Sequence, residues 1–178
     1  MKKKTYLIIG LSLFLVFGLG AIMLDASGKE KKPVRVYADV SGDLLHAGHI
    51  EFFKKAKALG DVLIIGVLSD ETITSYKRKP VQTMDERVRA VEACKYVDEV
   101  LPNCPLGVTE EWIKEHKIDL VVHGDDFDEN TVHEQYPAAL KRGIFRSVPY
   151  TKGISTTNLI NRIKTRDDLE KNEHTASR

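Results

Sequence analysis

Cysteine is scarce: Cys94 and Cys104 are the only two in 178 residues. Their spacing makes neither a disulfide framework nor a CxxC metal knuckle, so no oxidising compartment is demanded and no resident metal is expected. Nor does one sign of charge dominate. The 27 Lys and Arg against 26 Asp and Glu leave a net charge of +1. That balance excludes a nucleic-acid binder working by bulk charge, and no nucleic-acid partner is expected. Internal repeats are lacking, and a 42% hydrophobic content excludes a disordered chain. The length suits one domain.

The apolar residues are unevenly spread. Residues 6–24 (YLIIGLSLFLVFGLGAIML) carry no charge and follow a basic start, residues 1–5, with Lys2, Lys3 and Lys4. As a helix the run would span roughly 28 Å, close to a bilayer's hydrocarbon core. A secretory signal and a retained anchor both fit. The run exceeds a signal's usual apolar stretch and is followed by a poor cleavage site, so a transmembrane anchor is expected. Residues 25–33 then read as a linker, residues 34–165 as the catalytic body and residues 166–178 as a charged, flexible tail.

Through the body, short β-type runs alternate with amphipathic stretches. Strands are expected at 34–38, 61–68, 97–101, 120–123 and 144–148. Helices are expected at 47–59 with Gly60 as the stop, from a Thr83–Glu86 capping box to about Tyr96, after Thr109, over 133–142 and over 155–164. Such alternation predicts an α/β fold: a Rossmann-like parallel sheet flanked by helices, preceded by one N-terminal transmembrane helix. Ligands of such sheets bind beyond the carboxyl ends of the strands.

The segment after the first strand, Asp39-Val-Ser-Gly-Asp-Leu-Leu-His-Ala-Gly-His49, sets two histidines three apart at a helix start. Helix N-termini offer free N–H groups and partial positive charge to phosphates. His46 and His49 add donors, and Gly48 lets an anion approach the backbone. Gly153-Ile154-Ser155-Thr156-Thr157 repeats the design before the last helix: a glycine turn, hydroxyls and free N–H groups.

DLLHAGH, GDVLIIGVLSDE, YKRKP, DER, KYVDEV, VVHGDD and GISTTNLI, in this order, resemble the cytidylyltransferase family of the HxGH nucleotidyltransferase superfamily. The choline-phosphate and ethanolamine-phosphate members are the nearest likeness. The resemblance implies transfer of CMP from CTP to a phosphorylated alcohol with release of pyrophosphate, Mg2+ entering with the CTP, and a homodimer. It makes His46, His49 and Lys77 catalytic, with Lys79 a neighbouring candidate. It assigns Ser41, Gly42, Asp43, Gly48, Arg87, Asp125, Tyr150, Thr151, Gly153, Ile154, Ser155, Thr156 and Thr157 to the nucleotide. His123, Asp126 and Tyr136 go to the acceptor. Arg87 matches the family arginine on the triphosphate; Asp43 fits either a nucleotide contact or a loop carboxylate.

Departures matter too. Val40-Ser41-Gly42 and Tyr150 differ from choline-type members and look more like phosphonate cytidylyltransferases. Leu106 stands where choline-type members place a tryptophan, which weakens quaternary-ammonium recognition. The reading is a membrane-anchored enzyme acting on phosphoethanolamine or phosphocholine for phospholipid or surface-polymer synthesis. The alternatives are 2-aminoethylphosphonate or glycerol 3-phosphate as acceptor, and a catalytically weak membrane-bound nucleotide sensor. Basic residues flank the apolar run almost equally, so charge does not orient it. CTP is a cytoplasmic metabolite, so a single-pass protein with its catalytic domain facing the cytoplasm is expected.

Overall fold

The computed structural model describes residues 31–168. The chain divides between Lys32 and Pro33, and every strand and helix named below belongs to the unit that begins at Pro33. The expected anchor at 6–24, the basic start and most of the linker lie outside the described residues, as does the tail from 169. Among the described residues no helix is long and apolar enough to cross a membrane. The single-pass membrane location with a cytoplasm-facing domain is corrected on that finding.

In chain order the elements are β1 (Arg35–Val40), α1 (Ala47–Lys57), β2 (Val62–Leu68), α2 (Asp70–Tyr76), α3 (Met84–Glu92), β3 (Glu99–Cys104), α4 (Glu110–Glu115), β4 (Leu120–Gly124), α5 (Glu129–Gln135), α6 (Pro137–Lys141), β5 (Phe145–Val148) and α7 (Thr156–Lys164). The five strands form one parallel sheet in the order β3-β2-β1-β4-β5, a Rossmann-like arrangement flanked by helices. Successive connections leave β1 in opposite directions, toward β2 and β3 on one side and β4 and β5 on the other. The crevice at the carboxyl ends of β1 and β4 is therefore the switch point where ligands bind.

Both faces of the sheet are covered, and the side chains divide with the period of two that a strand imposes. Val36, Ala38, Leu63, Ile65, Val67 and Val122 join Phe53, Ala56 and Val91 in one core. Tyr37, Ile64 and Val121 face the other way and meet Ile113, Tyr136 and Ala139.

The differences from expectation have local causes. Gly60 does not end α1 by a left-handed turn: the helix stops at Lys57 with Ala58 as its cap. A Cβ at Gly60 would stand 2.5 Å from Val36 Cγ2 and 2.8 Å from the Val34 carbonyl, so close approach to β1 is what demands glycine. α3 ends at Glu92, four residues short. The expected helix over 133–142 is two helices that break at Tyr136, with Pro137 opening the second. α2 is an addition to the expected elements. Ser69 caps it, its hydroxyl accepting from Thr72 N at 3.0 Å, and Asp70 and Glu71 occupy its first turn.

Candidate active site

At the switch point lies a cleft of about 600 Å³, within the range of small-ligand sites. Its first wall is the start of α1. His46 is the N-cap: its Nδ1 accepts from Gly48 N at 3.1 Å, while His49 Nδ1 accepts from His46 N at 3.4 Å. This is a capping box built from two imidazoles. Because each Nδ1 accepts, each Nε2 carries the proton, and both rings are neutral donors. The rings stack with centroids 4.0 Å apart. Desolvation lowers the His46 pKa, and desolvation, followed by the repulsion that a protonated His46 and Lys77 would exert, brings His49 to about 4. Near neutral pH neither ring adds a positive charge of its own.

The second wall is the loop after α2. Lys77 is the C-cap of α2, its N–H donating to Ile73 O at 3.0 Å, and its ammonium lies 5.3 Å from the Tyr76 ring centre. Desolvation, then the neighbouring Arg78 charge, lowers the Lys77 pKa. Asp43 fastens this loop. Its Oδ1 accepts from Val81 N and Gln82 N, both at 3.0 Å, and its carbonyl accepts from Thr156 Oγ1 at 2.9 Å. Asp43 lines the cleft and at the same time ties the β1–α1 loop to two other walls. Lys79 does not line the cleft.

The third wall is the entry to α7. Ser155 caps it by accepting from Asn158 N at 3.1 Å. Ser155, Thr156 and Thr157 line the cleft with Ser41, Gly48, Tyr150 and Thr151. Thr156 has committed its proton to Asp43, so Ser155 and Thr157 remain as hydroxyl donors. Gly42 and Gly153 turn the chain behind the lining with φ of 69° and 88°. Ile154 sits beside Gly48, where an added Cβ would stand 3.4 Å from its Cγ2. Asp125 is likewise outside the lining: its Oδ1 accepts from Tyr150 N at 2.7 Å and holds the β5–α7 loop.

Two expected contact residues are wholly buried outside the cleft lining. Arg87 does not reach the cleft. It is wholly buried; Nη1 donates to the Ser41 carbonyl and Nη2 to Asp70 Oδ1 at 2.5 Å, and its Nε has no hydrogen-bond partner. It ties α2 to the β1–α1 loop from beneath the cleft. Tyr136 is also wholly buried and donates to both Asp39 oxygens, at 3.0 and 3.2 Å.

Asp39 is absent from the expected site residues, yet it lines the cleft floor at 6% exposure. Desolvation raises its pKa to about 6 against the opposing pull of His123 and the Tyr136 hydrogen bond. The available signal was an aspartate at the carboxyl end of a buried strand. His123 lines the floor too, its Nδ1 donating to Gly124 O at 3.0 Å and its ring stacked on Phe127 at 3.9 Å. Asp126 lies 3.9 Å from His123 Nδ1. Leu106 is in the lining as expected, but Phe52, Tyr76, Phe127 and Tyr150 are there as well, so its lack of a ring does not leave the cleft without aromatic faces.

Residues 41–162 match the family model described as Cytidylyltransferase-like. The chain is 41% identical over 143 residues to the ethanolamine-phosphate cytidylyltransferase of Dictyostelium discoideum, covering 79% of this chain and 40% of that protein. To the human choline-phosphate cytidylyltransferase A it is 41% identical over 136 residues, covering 75% and 37%. The chain thus spans well under half the length of these relatives. Among solved structures, the lipopolysaccharide core biosynthesis protein of Thermoplasma volcanium GSS1 superposes with a TM-score of 0.56 at 29% identity, covering 69% of this chain and 100% of that one. The family model extends from the β1–α1 loop into α7, across every wall of the cleft, and the chain belongs to the cytidylyltransferase-like family.

Proposed function

We propose that the protein transfers CMP from CTP to a phosphorylated amino alcohol and releases pyrophosphate. The observation that carries this is the convergence of two helix N-termini, a locked pair of neutral imidazole donors and Lys77 on one cleft. An acceptor phosphate oxygen attacks the α-phosphorus in line. The new P–O bond forms as the bond to the bridging oxygen breaks, and pyrophosphate leaves with that electron pair. No protein nucleophile is needed, so positioning and charge stabilisation supply the rate. The His46 and His49 Nε2–H groups donate to oxygens on which charge grows, at no reorganisation cost because the capping box already orients them. Lys77 adds the mobile cation. Magnesium enters with the triphosphate as part of the substrate, held by phosphate oxygens in the manner usual for this ion.

Asp39 distinguishes acceptors. A desolvated carboxylate on the floor, ionised at neutral pH and oriented by Tyr136, matches an ammonium group, and the rings of Phe52 and Phe127 stand on the same cleft. An amino alcohol phosphate or 2-aminoethylphosphonate satisfies that carboxylate; glycerol 3-phosphate leaves it unpaired. A homodimer, implied by the family resemblance, belongs to the same proposal and is read by light scattering.

The test is pyrophosphate release by the full chain with Mg2+, CTP and a panel of phosphoethanolamine, phosphocholine, 2-aminoethylphosphonate and glycerol 3-phosphate. Turnover is expected with an aminated acceptor and should fall by roughly 10²–10³ in His46→Ala or His49→Ala. CTP binding without turnover on any acceptor would instead support a nucleotide sensor.

A further inference from the structure

Among the described residues lining the cleft, the permanent cations are Lys77 and Arg78, against the carboxylates of Asp39, Asp43 and Asp126. Imidazoles apart, two cations stand against three carboxylates in this lining. A nucleoside triphosphate is a polyanion, and a cation free to turn toward it favours its binding there. Lys77 is one such cation. The arrangement of Arg78 makes it a second.

The arginines that hold this fold together bind their carboxylates tightly. Arg35 makes a forked pair with Glu99 at 2.7 Å on both arms, Arg87 reaches Asp70 at 2.5 Å, and Arg142 Nε reaches Glu110 at 2.9 Å. Arg78 differs. A single contact from Nη1 to Asp43 Oδ2 stands at 3.5 Å, the outer limit of a hydrogen bond, and its side chain is 41% exposed. Asp43 does not need it for its structural task, because Oδ1 already takes the Val81 and Gln82 N–H groups. The Asp43 carbonyl also holds Thr156 of α7, and Arg78 lines the same cleft as Ser155, Thr156 and Thr157. A guanidinium held loosely on a cleft that also carries a helix N-terminus is suited to fork onto phosphate oxygens.

We propose that Arg78 is a triphosphate-binding residue that leaves Asp43 to hold the β- and γ-phosphates, the pair that departs as pyrophosphate. The proposal rests on reading the cleft as a CTP site. Lys77 and the histidines then attend the α-phosphate, and Arg78 attends the leaving group. Asp43 keeps the loop in place throughout by its backbone contacts.

Calorimetric titration of the full chain with CTP, CMP and inorganic tripolyphosphate tests it, in wild type, Arg78→Gln and Arg78→Lys. Arg78→Gln should weaken CTP about 10-fold or more, the usual loss for hydrogen bonds to a charged group. CMP, which lacks the β- and γ-phosphates, should bind unchanged. Arg78→Lys should fall between, keeping the charge and losing the fork. Melting temperatures should stay close to wild type, because the Asp43 backbone contacts remain. Equal CTP affinity in wild type and Arg78→Gln, or an equal loss for CMP and CTP, overturns the proposal and leaves the CTP reading standing. Tripolyphosphate binding that depends on Arg78 in a protein that ignores CTP does the reverse. Failure of the wild type to bind either ligand overturns both.

Discussion

Gly48 shows at the scale of one residue how the site is made. A Cβ there would stand 2.9 Å from His46 Cε1 and 3.0 Å from His46 Nδ1. The imidazole must move away, and its bond to Gly48 N is then lost. With it goes the constraint that puts the proton on Nε2. Gly48→Ala also gains helix propensity, by up to about 1 kcal/mol, so stability should change little while kcat falls by roughly 10²-fold, the cost of one misplaced transition-state donor. Steady-state kinetics beside a thermal melt separate the two effects. Wild-type kcat would mean that the His46 tautomer is immaterial. Residue chemistry of this kind was legible beforehand, since HxGH at a helix start fixes which groups meet. Depth was not. Arg87 and Tyr136 are among the expected site residues and Asp39 is not, and only the folded packing puts Asp39 on the floor and the other two beneath it.

Among the elements, strands and long helices were readable from period and caps, and the reciprocal Thr83–Glu86 box stands as expected. The miss was α2, a helix of 7 residues whose β-branched Thr72, Ile73 and Thr74 disguise it. The sign that could have found it was Ser69 followed by two acids. This helix carries Lys77, and its hold on the body runs through Asp70 to the buried Arg87. Asp70→Ala strands a guanidinium whose remaining partners are the Ser41 carbonyl and Met84 Sδ. Breaking a buried pair from one side costs about 3–5 kcal/mol; Asp70 is 32% exposed, so the lower end, about 3 kcal/mol, is expected. Lys77 is displaced with the helix, so kcat should fall by 10-fold or more. Asp70→Asn, which keeps an acceptor oxygen, should do less on both counts. Urea denaturation and kcat measured together check this. A destabilised variant with unaltered kcat would show that α2 does not position Lys77.

For the whole molecule, stability as a function of pH joins two groups of the cleft, His49 on its first wall and Asp39 on its floor. His49 has a folded pKa of about 4 against an ordinary 6.5, so its folded form refuses a proton the unfolded chain accepts. Its stability is fully present above about pH 6.5 and is lost as pH falls toward 4. Asp39 has a folded pKa of about 6 against 3.8, so its folded form keeps a proton the unfolded chain gives up. Its stability is fully present below about pH 3.8 and is lost as pH rises through 6. Each shift corresponds to about 3 kcal/mol in order of magnitude, with opposite signs over nearly the same interval. Between pH 4 and 6 the two therefore offset each other, and their combined effect on the wild-type melting temperature should be small. Asp39→Asn keeps an acceptor for Tyr136 and removes the titration. It should melt several degrees above wild type at pH 7.5 and lose that advantage on acidification through pH 6. His49→Gln exposes the other limb: relative to wild type its stability should fall as pH rises from 4 to 6. Melting curves at half-unit pH steps decide it. Parallel profiles for all three proteins would show that neither group is desolvated in the way the cleft geometry requires. The offset has a functional side as well, because at neutral pH both groups stand in the forms the proposed chemistry uses, a neutral imidazole donor and an ionised carboxylate. The destabilisation carried by Asp39 there is relieved when a cation binds it. An aminated acceptor should accordingly raise the melting temperature of the wild type at pH 7.5 more than that of Asp39→Asn.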